Sequence, residues 1–350
     1  MLKRRQFINL SALLSASTLV SQVRPNIEGF AKDSIKLLPK RLKKGDTIGL
    51  IAPGYAVKPE VLKEMKSTLV EMGFVPFHTD RIHGNHGYFS DTDEQRAADL
   101  NEMFANPDID AILCARGGYG CTRIMQRINY DNIKSNPKIL VGFSDVTALL
   151  NGINQETGLV TFHGPVGSTI DDDYSKQQLL AKLESPNYPQ TIENVVLEDK
   201  EMLENAEYER YTITTGSASG KLVGGSLSLI VALVGTPHEI DFTDAIVCIE
   251  DVEEAPYRMD RMLTQLIEGS TFKKAKGIVF GVCAGCDRDP SPNGFTLKEV
   301  LMDRIASLNI PAAYGMSFGH VPNNFTFPIG IHAHWDADKM TMELLENAVL

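Results

Sequence analysis

The chain has 350 residues, which at about 150 per domain reads as two domains with ample length to bury a core. A composition of 43% hydrophobic and 23% charged residues excludes disordered, collagen-like and many-span membrane chains. The formal charge is −11, from 34 basic and 45 acidic residues, and no basic run exceeds Lys3-Arg4-Arg5, so the footprint a nucleic-acid binder needs is missing. Five cysteines, at 114, 121, 248, 283 and 286, are too few and too scattered for a disulfide framework.

Residues 1–31 read as an export address. Lys3-Arg4-Arg5 precedes a stretch without charge from Gln6 to Val23, the order of a secretion signal. The pair Arg4-Arg5 with Phe7 two places on resembles the twin-arginine signal. Serines and Gln22 interrupt the apolar run, so it is too polar for a stable membrane span of about 20 apolar residues. The expected location is periplasmic or otherwise exported, and cytoplasmic if the address is misread. Without this segment the chain loses Lys3, Arg4, Arg5, Arg24 and Glu28, leaving a mature charge of −14.

From Asp46 onward, strand, turn and helix alternate. Residues 47–52 form a short apolar run closed by Pro53-Gly54, and 61–72 carry apolar residues at helical spacing. A strand is expected over 74–77, and Thr92 with Gln95 three residues later predicts a capped helix start. Buried-type strands follow at 111–115, 139–143 and 159–162, with helices at 122–128 and 145–153. This order predicts a mostly parallel sheet covered by helices on both faces. The first domain is placed at 41–184 and a Pro-containing linker at 185–216. The second domain, 217–345, alternates strands at 221–223, 245–249 and 277–282 with helices at 226–234, 257–267 and 297–308, ending in short strands near Ala312, Ile329 and Met340.

Ligands of α/β sheets sit beyond the carboxyl ends of strands, so the turns after strands carry the chemistry. Arg116-Gly117-Gly118-Tyr119-Gly120 follows Ile112-Leu113-Cys114 and leaves backbone N–H groups open to an anion, although a tight structural turn uses the same residues. Gly142-Phe143-Ser144-Asp145 places a serine at a strand-to-helix turn, where the following amide faces a developing oxyanion. Val146 replaces the second glycine of the hydrolase elbow, and from this segment alone Ser144 better suits a helix cap. A serine nucleophile needs a base and an orienting acid. His320, in a loop after 316–318, and His163, after another strand, are candidate bases, while His332 and His334 fall in an alternating strand as surface or pairing residues. Glu250-Asp251 ends the apolar run 245–249 and offers the acid.

Taken together, Arg116-Gly117-Gly118-Tyr119-Gly120, Gly142-Phe143-Ser144-Asp145, His163-Gly164-Pro165, the stretch from Glu250 to Leu263 and Gly319-His320-x-x-Asn323 resemble the LD-carboxypeptidases of serine peptidase family S66. That family includes the microcin C self-immunity peptidases. The resemblance runs in order from about Leu42 to Met342. It implies an N-terminal α/β domain bearing the nucleophile, a smaller C-terminal α/β domain like a swivelling β-barrel, and a homodimer. It also implies a triad of Ser144, Glu250 and His320, a murein peptide substrate, and no metal or cofactor; the amides of Gly118 and Asp145 would then bind the oxyanion, and Arg116 either takes the substrate's terminal carboxylate, as a planar guanidinium can, or buttresses the loop. The activity implied is release of the terminal D-alanine from murein tetrapeptides in cell-wall turnover. The alternatives are a microcin-immunity amidase, which an adenine-stacking aromatic loop would favour, a non-catalytic muropeptide binder, and thiol redox chemistry at Cys283-Ala284-Gly285-Cys286. Trp335, the single tryptophan, lies far from the motifs, and no stacking loop stands out. The C-x-x-C follows a late strand rather than opening a helix, and no second ligand pair completes a zinc site.

Overall fold

The computed structural model describes residues 36–185, 187–287 and 293–350. The export address at 1–31 lies outside the described residues. Strands β1 (Thr47–Ile51), β2 (Val75–Phe77), β3 (Ala111–Cys114), β4 (Ile139–Gly142) and β5 (Thr161–His163) belong to the first sheet. Strands β6 (Gln190–Ile192), β7 (Tyr211–Thr214), β8 (Ser217–Ser226), β9 (Ala245–Glu250), β10 (Gly277–Val282) and β11 (Ala312–Gly319) belong to the second. Strand β12 (Phe327–Ile329) returns to the first sheet, and β13 (His332–Asp336) and β14 (Thr341–Leu344) end the second. The fold is a two-domain α/β arrangement of two sheets.

The first sheet has the order β12-β5-β4-β3-β1-β2 and is parallel except for β12, which runs antiparallel to β5. Its apolar strands alternate between two cores: Ile139 and Val141 pack in one, Leu140 in the other, and Ala111 and Leu113 are likewise separated from Ile112 and Cys114. Such double-sided burial is what uninterrupted apolar runs require of a parallel strand covered by helices. The helix Asp93–Ala105 starts as predicted, with Thr92 Oγ1 accepting from the Gln95 amide at 3.3 Å. The Gln95 side chain instead accepts from Arg81.

The second sheet has the order β6-β14-β13-β8-β9-β10-β11-β7, parallel from β8 to β11 and antiparallel at its flanks. It is open, with β6 and β7 at opposite edges, and this corrects the expectation of a barrel-like domain. The segment 185–216, read as a linker, supplies both edge strands. Their short alternating runs between prolines and polar residues carry little periodicity, because an edge strand buries only part of its surface.

The two sheets share one continuous apolar core: Leu149, Leu150 and Ile153 of the helix Thr147–Thr157 cluster with Leu227, Ile230 and Ile246. Polar groups fix the register of that contact. Asn151 Nδ2 donates to the Gly224 carbonyl at 2.8 Å while its Oδ1 accepts from the Gly224 amide at 3.1 Å, and Thr147 Oγ1 accepts from the Ser226 amide at 3.0 Å. Asn151→Leu leaves both buried Gly224 groups unpaired. The expected loss is about 2–4 kcal/mol, read as a lower denaturant midpoint at unchanged slope.

Candidate active site

Ser144 stands where the fully buried β4 breaks into a helical turn, Ser144–Val146, that leads into the helix Thr147–Thr157. Its φ of 61° lies in the left-handed region that a non-glycine residue seldom occupies. Phe143, not Ser144, holds the N-cap position of that turn, so the capping alternative for Ser144 falls away. The missing second glycine is also explained. A Cβ on Gly142 would come within 2.6 Å of Val146 Cγ1, so the bare first glycine makes the room that the second one usually makes.

Two further predicted residues converge on that hydroxyl from the second sheet. Glu250 ends β9, fully buried, and His320 follows β11. His320 Nδ1 lies 2.8 Å from Glu250 Oε2, and its Nε2 lies 2.9 Å from Ser144 Oγ. A carboxylate only accepts, so Nδ1 carries the proton and Nε2 is left to accept from the serine. Burial alone would raise the Glu250 carboxyl, but His320 and His163 bring it down to about 2. Burial would lower the His320 imidazole, and the Glu250 carboxylate overrides it and raises it above its ordinary 6.5. Asp251, pushed up to about 6 by burial and then by Glu250, accepts from the Ser228 amide and hydroxyl, both at 2.7 Å. His163 is not at the serine. It lies on the far side of Glu250, with Nε2 3.9 Å from Oε1.

The glycine loop backs onto the serine. A Cβ at Gly117 would lie 3.0 Å from Ser144 Cβ, and Gly118 adopts φ +108 against the Tyr55 ring, a place only glycine fits without strain. The Asp145 carboxylate, 1% exposed, accepts from the Cys121 amide at 2.9 Å, tying the loop to the serine turn. Burial raises that carboxyl despite the bond. Arg116 Nη1 donates to the Ala56 carbonyl at 3.4 Å, and its guanidinium lies 5.5 Å from the Tyr55 ring centre. Beside it stands a cluster that sequence reading missed: Tyr88 and Tyr119, both exposed, pack with Tyr55 and Phe89 at centroid separations of 4.4–5.9 Å. Only a non-local fold brings positions 55, 88 and 119 together.

The loop that carries His320 is anchored to the first domain. Asp172 Oδ1 accepts from Asn323 Nδ2 at 2.9 Å, and Ser175 Oγ accepts from the Asn324 amide at 2.8 Å. The Asp172-x-x-Ser175 spacing, in which Asp172 caps the helix Asp173–Leu183, was a legible capping signal. Its second duty toward Asn323 was not. Elsewhere, His332 pairs with Glu346 and His334 with Ser219. Cys283 and Cys286 are buried, and a hydrogen bond from Cys286 together with burial holds the Cys283 thiol well above its ordinary value. A redox thiol requires the opposite.

This arrangement matches known proteins. The profile of the LD-carboxypeptidase N-terminal domain covers residues 48–164, and that of the LD-carboxypeptidase C-terminal domain covers 219–334. A probable murein peptide carboxypeptidase of Bacillus subtilis is 38% identical over 315 residues, 88% of this chain and 94% of the relative. Among solved structures, an MccF-like protein from Bacillus anthracis has a TM-score of 0.77 at 30% identity, covering 89% of this chain and 99% of that one. A muramoyltetrapeptide carboxypeptidase from Oxalobacter formigenes has a TM-score of 0.74 at 27% identity, covering 87% and 100%. The fold and these relatives define a peptidase. The chain belongs to the LD-carboxypeptidases, peptidase family S66.

Proposed function

We propose that the protein is a serine LD-carboxypeptidase that releases the C-terminal D-alanine of murein tetrapeptides by cutting the amide that follows the L-centre of the diamino acid. The observation that carries this reading is the Ser144–His320–Glu250 chain of contacts, 2.9 and 2.8 Å, assembled across two domains. In this mechanism His320 Nε2 takes the serine proton as Oγ attacks the amide carbon, and the protonated imidazole then gives it to the departing amine of D-alanine. Water attacks the acyl-enzyme in the second half, with His320 again as base. The amides of Asp145 and Gly118 face the oxyanion. Glu250 holds the imidazole in the required tautomer and stabilises its charge.

Arg116 takes the terminal carboxylate of the substrate, because a guanidinium fork matches a carboxylate. Arg116→Ala is expected to raise KM about tenfold or more with kcat little changed, in steady-state assays of alanine release. Incubation of the protein with a murein tetrapeptide, followed by mass analysis for loss of one alanine, tests the activity; equal cleavage of the diastereomer ending in L-alanine, or of neither, refutes it. The protein works as an exported homodimer in this reading, with the nucleophile domain at 41–184 and the acid and base in 217–345. Fractionation and sedimentation check location and state. The exposed rings of Tyr88 and Tyr119 favour one second reading, an immunity-type amidase whose substrate stacks a base beside the serine. Hydrolysis of an aminoacyl sulfamoyl adenosine in preference to the tetrapeptide would establish it.

A further inference from the structure

Beneath Glu250 the protein buries two polar groups that face each other and have no hydrogen-bond partner among the described residues. Oε1 of Glu250 is the carboxylate oxygen that His320 does not use, and both ring nitrogens of His163 are likewise unpaired. Both residues are fully buried, and His163 Nε2 lies 3.9 Å from Oε1. The ring is held in place by aromatic neighbours. It stacks on Phe327 at 4.6 Å and 17°, and meets Phe318 and Phe143 edge-on at 6.0 and 6.1 Å. An unpaired buried carboxylate oxygen is costly, and the imidazole N–H is the donor within reach. The contact is about 0.7 Å longer than the ~3.2 Å upper limit of an N–H···O hydrogen bond, a gap a small side-chain rotation closes.

We infer that His163 is a positioning residue for the nucleophile: its Nε2–H engages Glu250 Oε1, fixing the carboxylate so that Oε2 stays aimed at His320 Nδ1. This rests on the triad reading above. Glu250 thereby serves two imidazoles with two oxygens, one facing the reacting serine through His320 and one facing the core. The placement of both partners follows from the fold. His163 ends β5, next to the β4 that delivers Ser144, and Phe327 of β12 pairs opposite it in register, supplying the ring on which it stacks.

The arrangement predicts a signature in pH. Glu250 is faced by His320 from the loop after β11, by His163 from β5, by Asp251 from its own strand end and by Cys283 from the end of β10, while Glu253 acts on His320. Of these, the two imidazoles are the groups that favour its charge. Removing the His163 N–H leaves a more basic carboxylate, which holds the proton on His320 to higher pH. The acid limb of serine reactivity therefore moves upward.

The test uses the full chain and a fluorophosphonate, which reports Ser144 reactivity without assuming the natural substrate. His163→Phe keeps the ring stack and removes both nitrogens, and His163→Gln restores an N–H. The expected result is labelling slowed about 10- to 100-fold in His163→Phe with its acid limb raised, substantial recovery in His163→Gln, and unchanged thermal unfolding. The low-field proton resonance of His320 Nδ1–H should shift in His163→Phe and return in His163→Gln. Wild-type labelling rate, limb and resonance in His163→Phe overturn the inference alone, as does a loss that His163→Gln fails to recover. A wild-type protein that the probe does not label at Ser144 overturns the triad and this role with it.

Discussion

Ser144→Ala is expected to abolish alanine release, by about 10⁴- to 10⁶-fold in kcat, while leaving substrate affinity and folding close to those of the parent protein. The size follows from what the hydroxyl does. Its Oγ is the atom that His320 Nε2 approaches at 2.9 Å, and in the proposed mechanism it is the group that takes the acyl chain. What remains is the contribution of the oxyanion amides and of binding. Stability is expected to hold, because alanine occupies the φ of 61° at a similar cost to serine. Single-turnover release of D-alanine, binding by calorimetry and a denaturant curve check the three parts. Full activity in the variant would remove the serine from the mechanism.

Glu250→Gln is the second large effect. The amide retains the shape of the side chain but loses the charge that keeps His320 in the right tautomer, and kcat is expected to fall about 10⁴-fold. Its pH dependence gives a sharper check. Catalysis needs His320 neutral at Nε2, so kcat/KM in the parent protein falls as pH drops through the imidazole value, which Glu250 holds above 6.5. Without that carboxylate, burial dominates and lowers the imidazole, so the residual activity of Glu250→Gln keeps its plateau to lower pH. The parent and the variant thus differ in height and in the position of the acid limb. Removing His163 moves that limb the other way, which separates the two neighbours of one carboxylate.

Much of this was legible because the chemistry sits at strand ends, and strand ends are marked in sequence. Apolar runs that stop at Gly142, Glu250 and Gly319 located the turns, and the residues at those turns, Ser144, Glu250 and His320, are the ones brought into contact. Local patterns also gave the capped helix start at Thr92, and the Asp172-x-x-Ser175 cap was legible but went unread. What escaped is what distance in sequence conceals. The edge strands β6 and β7 lie within a segment whose periodicity is weak, and the barrel-like second domain proved an open sheet. Asn151 reads as an ordinary polar helix residue until β8 is laid against it. His163 reads in sequence as a possible base; its neighbours Glu250 and Phe327 come from strands 87 and 164 positions later and place it beside the carboxylate rather than the serine.

The return of the chain to its first sheet has a consequence for how the molecule comes into being. The β12 strand closes the edge of the nucleophile's own sheet against β5, and it does so just after the loop that presents His320. A chain that stops before that loop lacks His320, so Ser144 and Glu250 lose the imidazole that both contact, and the β5 edge is left bare to any other extended segment. Under the proposed mechanism, reactivity is therefore the last property the polypeptide acquires. Under that mechanism, fragments left by incomplete synthesis or by a cut between the two sheets are expected to be inert toward amides and prone to self-association, so expressing the halves separately should yield catalysis only where both are present and paired.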